Sequence, residues 1–481
     1  MPDEPASLPP VRRLGRPTML AYGFGAVAYG VKDFGFATFL LFFFNQVMGL
    51  PSFEVSLAIM CALLVDAVID PAIGFLSDRT RGRWGRRHPW MYASALPIAA
   101  GWLLLWNPPQ MSDGALLVWV FACAVLLRTA VSAYEVPSQA LSPELSADYN
   151  ERTRIMAYRY LFGWAGGLGM LIASYSWLLA AAPGQPDGLL IRSNYVGFSI
   201  VGAVVMLIAI LVSAGGTHHE IAKLPRVEIE RQPLGASFRE LGETVRNRAF
   251  AILMGAGFCF YSAQGISFAL SNYLYVHAWG MKGDQLKLLG LTLFIGVVAA
   301  FLIAPRVAKR TGKPRAAMGF MVAAAILIAS PYLLRLAGLF PDLGDPMMLP
   351  LLLGIFTVNA ACSVSSTILG ASMMADVVEH SEITTGRRSE GVFFAGAFFI
   401  QKCCSGIGIF ASGVILAVAH FPAAAPQGSV PVGTIDRLTI IFALLYMALG
   451  FAAAFLYSRF PFGKAEHEAR IAALAEGGAS R

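Results

Sequence analysis

Twelve apolar runs, from roughly 17–48 through 435–458, constrain this chain more than any motif in it. Each reaches the ~20 residues that a helix needs to cross the hydrocarbon core of a bilayer. Only 14% of the 481 residues are charged and 57% are hydrophobic, whereas soluble domains carry about 25% charged residues. Inside hydrocarbon every backbone polar group must be satisfied within its own segment, so runs of this length are read as helices. The expectation is an all-α, multi-pass membrane protein.

The polar residues between the runs set the organisation. Cationic side chains gather at the N-terminus, in the even-to-odd connections and at the C-terminus, while the opposite connections hold only Arg192, Lys282, Lys287, Arg335 and Arg437. By the positive-inside rule both termini are then cytoplasmic, and the net charge of +7 reflects topology rather than a nucleic-acid surface. The first run is too long for a signal-peptide core and is expected to act as the insertion signal itself. A charged, proline-containing stretch divides the twelve runs into six and six. The expected parts are a cytoplasmic tail (1–16), a six-helix bundle (17–215), a cytoplasmic linker (216–247), a second six-helix bundle (248–460) and a second cytoplasmic tail (461–481).

The two halves echo each other. GFLSDRTRGRWGRR after the second run has a degenerate counterpart in APRVAKRTGKPR after the eighth, and PELSADYNERTR after the fourth resembles ADVVEHSEITTGRRSEG after the tenth. Two matched six-helix halves are a transporter arrangement with a midplane site between the repeats. The six cysteines all fall in apolar runs without zinc-site spacing, so they read as buried thiols. No nucleophile–base pair, metal cluster or nucleotide loop is visible, so neither an enzyme nor a cofactor is expected.

Charges at mid-membrane depth are costly and mark function. Lys32, Arg128, Arg159 and Lys402 oppose Asp33, Asp66, Asp70 and Glu135 in equal numbers, which suggests pairing in one cavity. Asp66 and Asp70 share a helix face at i and i+4. Arg128, Ser132, Glu135 and Gln139 form one stripe on the fourth helix. Glycines 163, 166, 167 and 169 read as close helix packing. Asp66 and Asp70 read either as a cation or proton site or as structural counter-ions. Arg128 reads as a substrate clamp or as the counter-ion of a nearby acid.

At these residues the chain resembles the glycoside–pentoside–hexuronide:cation symporter family of the major facilitator superfamily, of which melibiose permease is the type. The matching stretches are YGFGAVAYGVKDF, the Asp66/Asp70 pair, YEVPSQALSPEL, DYNERTRIMAYRYLF and MMADVVEHSEITTGRRSEG followed by Lys402. The resemblance implies a major facilitator fold and cation-coupled import of a sugar-like solute by alternating access. It assigns cation or proton coupling to Asp66, Asp70, Glu135 and Lys402, and substrate binding to Lys32, Asp33, Glu135 and Arg159, with Arg159 holding Asp33. Arg128 and Gln139, which the resemblance does not supply, are added as substrate-binding candidates from their place on the polar stripe of the fourth helix. Asp78, Arg79, Arg86, Glu144, Arg152 and Arg387 are the expected cytoplasmic latch.

Two departures shape the expectation. Apolar Ile69 stands where sodium-using members carry an Asn. Sodium wants several hard oxygens whereas a proton needs one carboxylate of tuned pKa, so H+ is favoured over Na+. Gln139 replaces an expected tryptophan platform, so galactoside specificity does not carry over, and a glycoside or hexuronide is expected. A lysolipid-like amphiphile carrier and a non-transporting sensor are the alternatives. The expected partners are the solute, the coupling cation and the bilayer of a bacterial inner membrane, without nucleic acid, in a monomer.

Overall fold

A computed structural model of the chain describes residues 14–146, 149–181, 187–221, 247–385 and 390–461. Among them the regular structure is helical throughout. The helical runs are α1 (16–47), α2 (Ser52–Arg79), α3 (His88–Trp106), α4 (Asp113–Leu145), α5 (149–178) and α6 (Asn194–His218). The second set is α7 (Arg248–Ala278), α8 (Gly283–Thr311), α9 (Lys313–Leu336), α10 (Met348–Thr385), α11 (Glu390–Val418) and α12 (Val432–Ser458). Ten of these meet a length-and-hydropathy criterion for crossing a membrane. The other two are α1, which is broken into α- and π-helical pieces, and the 19-residue α3.

Local chemistry explains several boundaries. Prolines 17, 89 and 314 sit in the first turns of α1, α3 and α9, where a missing N–H costs nothing. Asn247 caps α7 by accepting the N–H groups of Ala249 and Phe250, as an N-cap side chain should. Pro71 lies inside α2 directly after Asp70, so it withholds one backbone hydrogen bond beside that carboxylate.

The chain divides into two compact units: Met1–Phe36, Leu64–Ala173 and Tyr195–Ile229 in the first, and Ala37–Leu63, Ser174–Asn194 and Glu230–Arg481 in the second. These units are not the two sequence halves. The later part of α1, the start of α2 and the segment after α5 belong with the second unit. Within the first unit, α1 meets α5 through glycine. A Cβ on Gly30 would lie 2.0 Å from the carbonyl oxygen of Gly163, and one on Gly166 would lie 2.8 Å from Cα of Val27. In the same unit, Trp102, Trp106, Tyr195 and Phe198 form a buried aromatic cluster between α3 and α6. Within the second unit α7 and α11 repeat the glycine device, since a Cβ on Gly408 would lie 2.7 Å from Cα of Gly265.

The repeat extends to the helix ends. α1 finishes in the π-turn Phe43–Val47 and α7 in Leu274–Ala278. Met48 N–H donates to Phe43 O and Leu50 N–H to Phe44 O, while Trp279 N–H donates to Leu274 O and Met281 N–H to Tyr275 O. Gly49 and Gly280 hold φ of 82° and 58° at the corresponding position, a conformation glycine adopts without steric cost.

Gly169, expected with its neighbours in the packing face, has nothing within 4 Å of a built Cβ. It shares the sequence spacing but turns away from α1. Gly30→Ala and Gly408→Ala should therefore each destabilise the purified protein by about 1–3 kcal/mol through overpacking, whereas Gly169→Ala should not. Thermal unfolding in detergent measures the contrast, and equal effects at the three positions would contradict this packing.

Candidate functional site

The first unit gathers most of the charges expected at mid-depth. Arg128 on α4 donates from Nη2 to Asp66 Oδ2 at 2.6 Å, and Ser132, one turn on, donates from Oγ to Asp66 Oδ1 at 3.0 Å. Both oxygens of Asp66 are thus engaged, and Asp66 and Arg128 are both buried. The i, i+4 spacing on α4 makes this possible, because it stacks the guanidinium and the hydroxyl on one face opposite α2. The guanidinium also lies 5.9 Å from the ring centroid of Phe36. Its Nε is buried without a hydrogen-bond partner. Arg128 therefore acts as the counter-ion of Asp66. A bidentate clamp on a substrate carboxylate would first have to displace that acid.

The same stripe continues to a second polar pair, in which Gln139 Nε2 donates to Glu135 Oε1 at 2.9 Å. Asp70 and Glu135 are half-buried, and each has further polar or electrostatic interactions. On α1, Lys32 and Asp33 form an ion pair with each other. The Lys32 ammonium is buried, but the Asp33 side chain is 58% exposed, so the carboxylate points away from the core of its own unit.

Arg159 on α5 does not hold Asp33. Its Nη1 donates to Ser138 Oγ at 2.7 Å and to Tyr22 OH at 3.1 Å, and Tyr22 OH donates to Ser138 O. The guanidinium lies 5.3 and 5.9 Å from the ring centroids of Tyr22 and Tyr29. Arg159 thus joins α1, α4 and α5 through hydroxyls and aromatic faces, while Asp33 takes the nearer lysine. Lys402 is half-buried on α11 in the second unit and is itself engaged in an interaction. There too, Asn272 donates to Thr38 O and accepts from Tyr175 OH, and Asn359 donates to Ala324 O. Both asparagines are committed to neighbouring helices. Gln264 has no hydrogen-bond partner among the described residues.

The arginine loop after α2 builds a network centred on Arg87. Its guanidinium reaches Asp78 at 2.5 Å, Glu144 at 3.1 Å and Ser77 Oγ at 3.0 Å, and Arg86 joins Glu144 at 3.0 Å. Of the expected latch, Asp78, Arg86 and Glu144 meet here. Arg79 does not, because its guanidinium covers the Phe75 ring at 3.7 Å, a cation–π contact. Arg152 donates to Ser146 O at 2.6 Å, and Arg387 lies outside the described residues. Sequence reading left the hub, Arg87, out of the latch. The counterpart in the second half is Lys313 at the start of α9, which contacts both oxygens of Asp376 near the end of α10 at 2.6 and 2.7 Å. The loop repeat pointed there, yet neither residue was singled out.

Breaking a buried ion pair by removing one partner costs about 3–5 kcal/mol, because the other charge is left uncompensated. Asp66→Asn and Arg128→Met should each lower thermal stability strongly, and the double variant should recover more than half of the summed loss. Additive losses in a double-mutant cycle would mean that the pair is not coupled.

The model of the MFS/sugar transport protein family matches residues 21–464. The uncharacterized symporter sll1374 of Synechocystis is 27% identical, aligned over 84% of this chain and 87% of its own length. The isoprimeverose transporter of Lactiplantibacillus pentosus is 24% identical, over 89% of this chain and 87% of its own. Among solved structures, the inward-open xylose transporter XylE from E. coli superposes with a TM-score of 0.59 at 12% identity, covering 93% of this chain and 96% of that one. This last likeness is one of fold alone. A family match over nearly the whole length, together with two sets of six helical runs and their repeated glycine contacts and π-turns, leads to one conclusion: the chain belongs to the MFS/sugar transport protein family and is an all-α, multi-pass membrane protein of the major facilitator fold.

Proposed function

We propose that the chain is a cation-coupled symporter that imports a sugar-like solute, a glycoside or hexuronide, by alternating access, with H+ as the coupling ion in preference to Na+. The observation that carries this reading is the division of labour on α2. Asp66 has both oxygens engaged by Arg128 and Ser132, so a coupling ion arriving there competes with a cation already present. Asp70, one turn on and beside the backbone hydrogen bond that Pro71 withholds, is the better-suited coupling carboxylate, with Glu135 as its neighbour in role.

The exposed Asp33 carboxylate and the Glu135–Gln139 pair supply hydrogen-bond acceptors and donors suited to sugar hydroxyls. A charge this exposed within a spanning helix belongs in a water-filled cavity rather than against lipid. Gln264 is the corresponding candidate from the second half. Lys402 is proposed to balance the acidic cluster during the cycle, and Arg159 to shape the site rather than touch the solute. Arg87, with Asp78, Arg86 and Glu144, is proposed to latch the cytoplasmic ends. Both termini would face the cytoplasm of a bacterial inner membrane, and a monomer suffices for the mechanism.

The relative named symporter supports coupled transport, and the one named isoprimeverose transporter supports a sugar-like solute. The test is a screen of glycosides and uronides for solute-driven external alkalinisation in proteoliposomes, with and without sodium. One solute should raise the external pH without needing sodium. Sodium-dependent flux at constant pH would overturn the ion assignment. Activity with lysolipids alone would overturn the substrate assignment, and binding without flux would indicate a sensor.

A further inference from the structure

The connection between α11 and α12 reaches the matching ends of α1 and α7, all within the second unit. At the α1 end, Ala424 N–H donates to Asn45 O at 3.1 Å and Ala425 N–H donates to Gln46 Oε1 at 3.3 Å. Gln46 Nε2 in turn donates to Pro422 O at 3.0 Å. At the α7 end, Gln427 Nε2 donates to Val276 O and Met281 O, both at 3.2 Å. Between them the Phe421 ring packs edge-on against Tyr273 and His277, with centroids 5.5 and 5.1 Å apart. The π-turns matter here. They end α1 and α7 with displaced carbonyls, and one loop collects carbonyl groups from both.

The backbone of this connection is strained. His420 and Ala424, with φ of 56° and 48°, are the non-glycine residues with positive φ among those described. His420 takes the position just after the end of α11 that glycine usually holds. Ala424 is the residue whose N–H reaches α1, and its methyl lies 3.8 Å from where a Cβ on Gly49 would be. Left-handed conformations at such residues persist only where the surroundings over-determine them. Here the surroundings are the two helix ends.

We propose that residues 420–428 form a strap that holds the ends of α1 and α7 together, and that its release is the gating step at the end of the spans remote from the arginine loop. Gln46 and Gln427 are its two fasteners and Ala424 its strained hinge. The assignment rests on the carrier reading only for the word gating; the strap itself is a statement about α1, α7 and the loop. Direct bonds between the helices, Tyr273 OH to Asn45 Oδ1 at 3.0 Å and Asn272 Nδ2 to Thr38 O at 2.9 Å, lie beneath it. They should become reachable from water once it opens.

Thr38 is the reporter, because its hydroxyl is buried without a hydrogen-bond partner and a cysteine replaces it closely. In a full-length background with the six native cysteines replaced, Thr38→Cys is reacted with N-ethylmaleimide in detergent. Gln46→Ala with Gln427→Ala should speed the reaction by about tenfold, the loss expected from a few modest hydrogen bonds. Ala424→Gly should slow it, because glycine relieves the hinge and favours the closed strap. A monodisperse double variant reacting no faster than its parent would overturn the proposal, as would faster reaction in Ala424→Gly. If the double variant aggregates, Gln427→Ala alone and Ala424→Gly still decide the matter. The reaction needs no solute, so failure of the carrier reading is recognised separately, as the absence of solute counterflow by the parent protein in vesicles.

Discussion

A charged side chain at the centre of a spanning helix costs about 2.5–3.5 kcal/mol on insertion scales, and the arrangement of this protein follows from how it meets that cost. Asp66 is answered by Arg128 and Ser132, Lys32 by Asp33, and Arg159 by two tyrosines and a serine. The first and third of these tie helices together, α2 to α4 and α1 to α4 and α5, whereas Lys32 and Asp33 are neighbours on α1. The groups met least completely by their own unit, above all the exposed Asp33 carboxylate, are those that a cavity must hydrate. Asp66 is bound into the packing by Arg128 and Ser132, and the proposed coupling role falls to Asp70, one turn away on α2.

The second constraint is close approach without strain. Hydrocarbon provides no hydrophobic drive between helices, so they associate through backbone contact at small residues. α1 against α5 and α7 against α11 both use glycine for this, at Gly30, Gly163 and Gly166 and at Gly265 and Gly408. The π-turns at the ends of α1 and α7 repeat with the same hydrogen-bond pattern, and so does the cation–carboxylate pair joining α3 to α4 and α9 to α10. The internal repeat thus survives as geometry where the residues themselves have diverged, Arg87 with Glu144 in one half and Lys313 with Asp376 in the other.

Hydropathy, spacing and loop charge are local properties, which is why the spans, the two sets of six and the acidic face of α2 were legible in the sequence. The Asp66–Arg128 contact was legible as one of two readings, because a buried guanidinium near an acid has few better choices. Partner choice among several polar groups was not legible. Arg159 was expected on Asp33, but Ser138 and Tyr22 sit closer to its path, and Asp33 has a lysine beside it. In the arginine loop five candidates lie within nine residues. Which of them turns inward depends on where α3 begins, so Arg79 covers a phenylalanine while Arg87 takes the carboxylates. The strap was invisible for another reason: Gln46 and Gln427 are far apart in sequence and have no periodicity to betray them.

The central claim is that Asp70 carries the coupling ion while Asp66 serves structure. The most direct test compares equilibrium exchange with uphill accumulation of the same solute in proteoliposomes, for the parent protein and for Asp70→Asn. The account predicts that Asp70→Asn still exchanges solute across the membrane but no longer accumulates it under an imposed ion gradient. Undiminished accumulation by a monodisperse Asp70→Asn protein would contradict it.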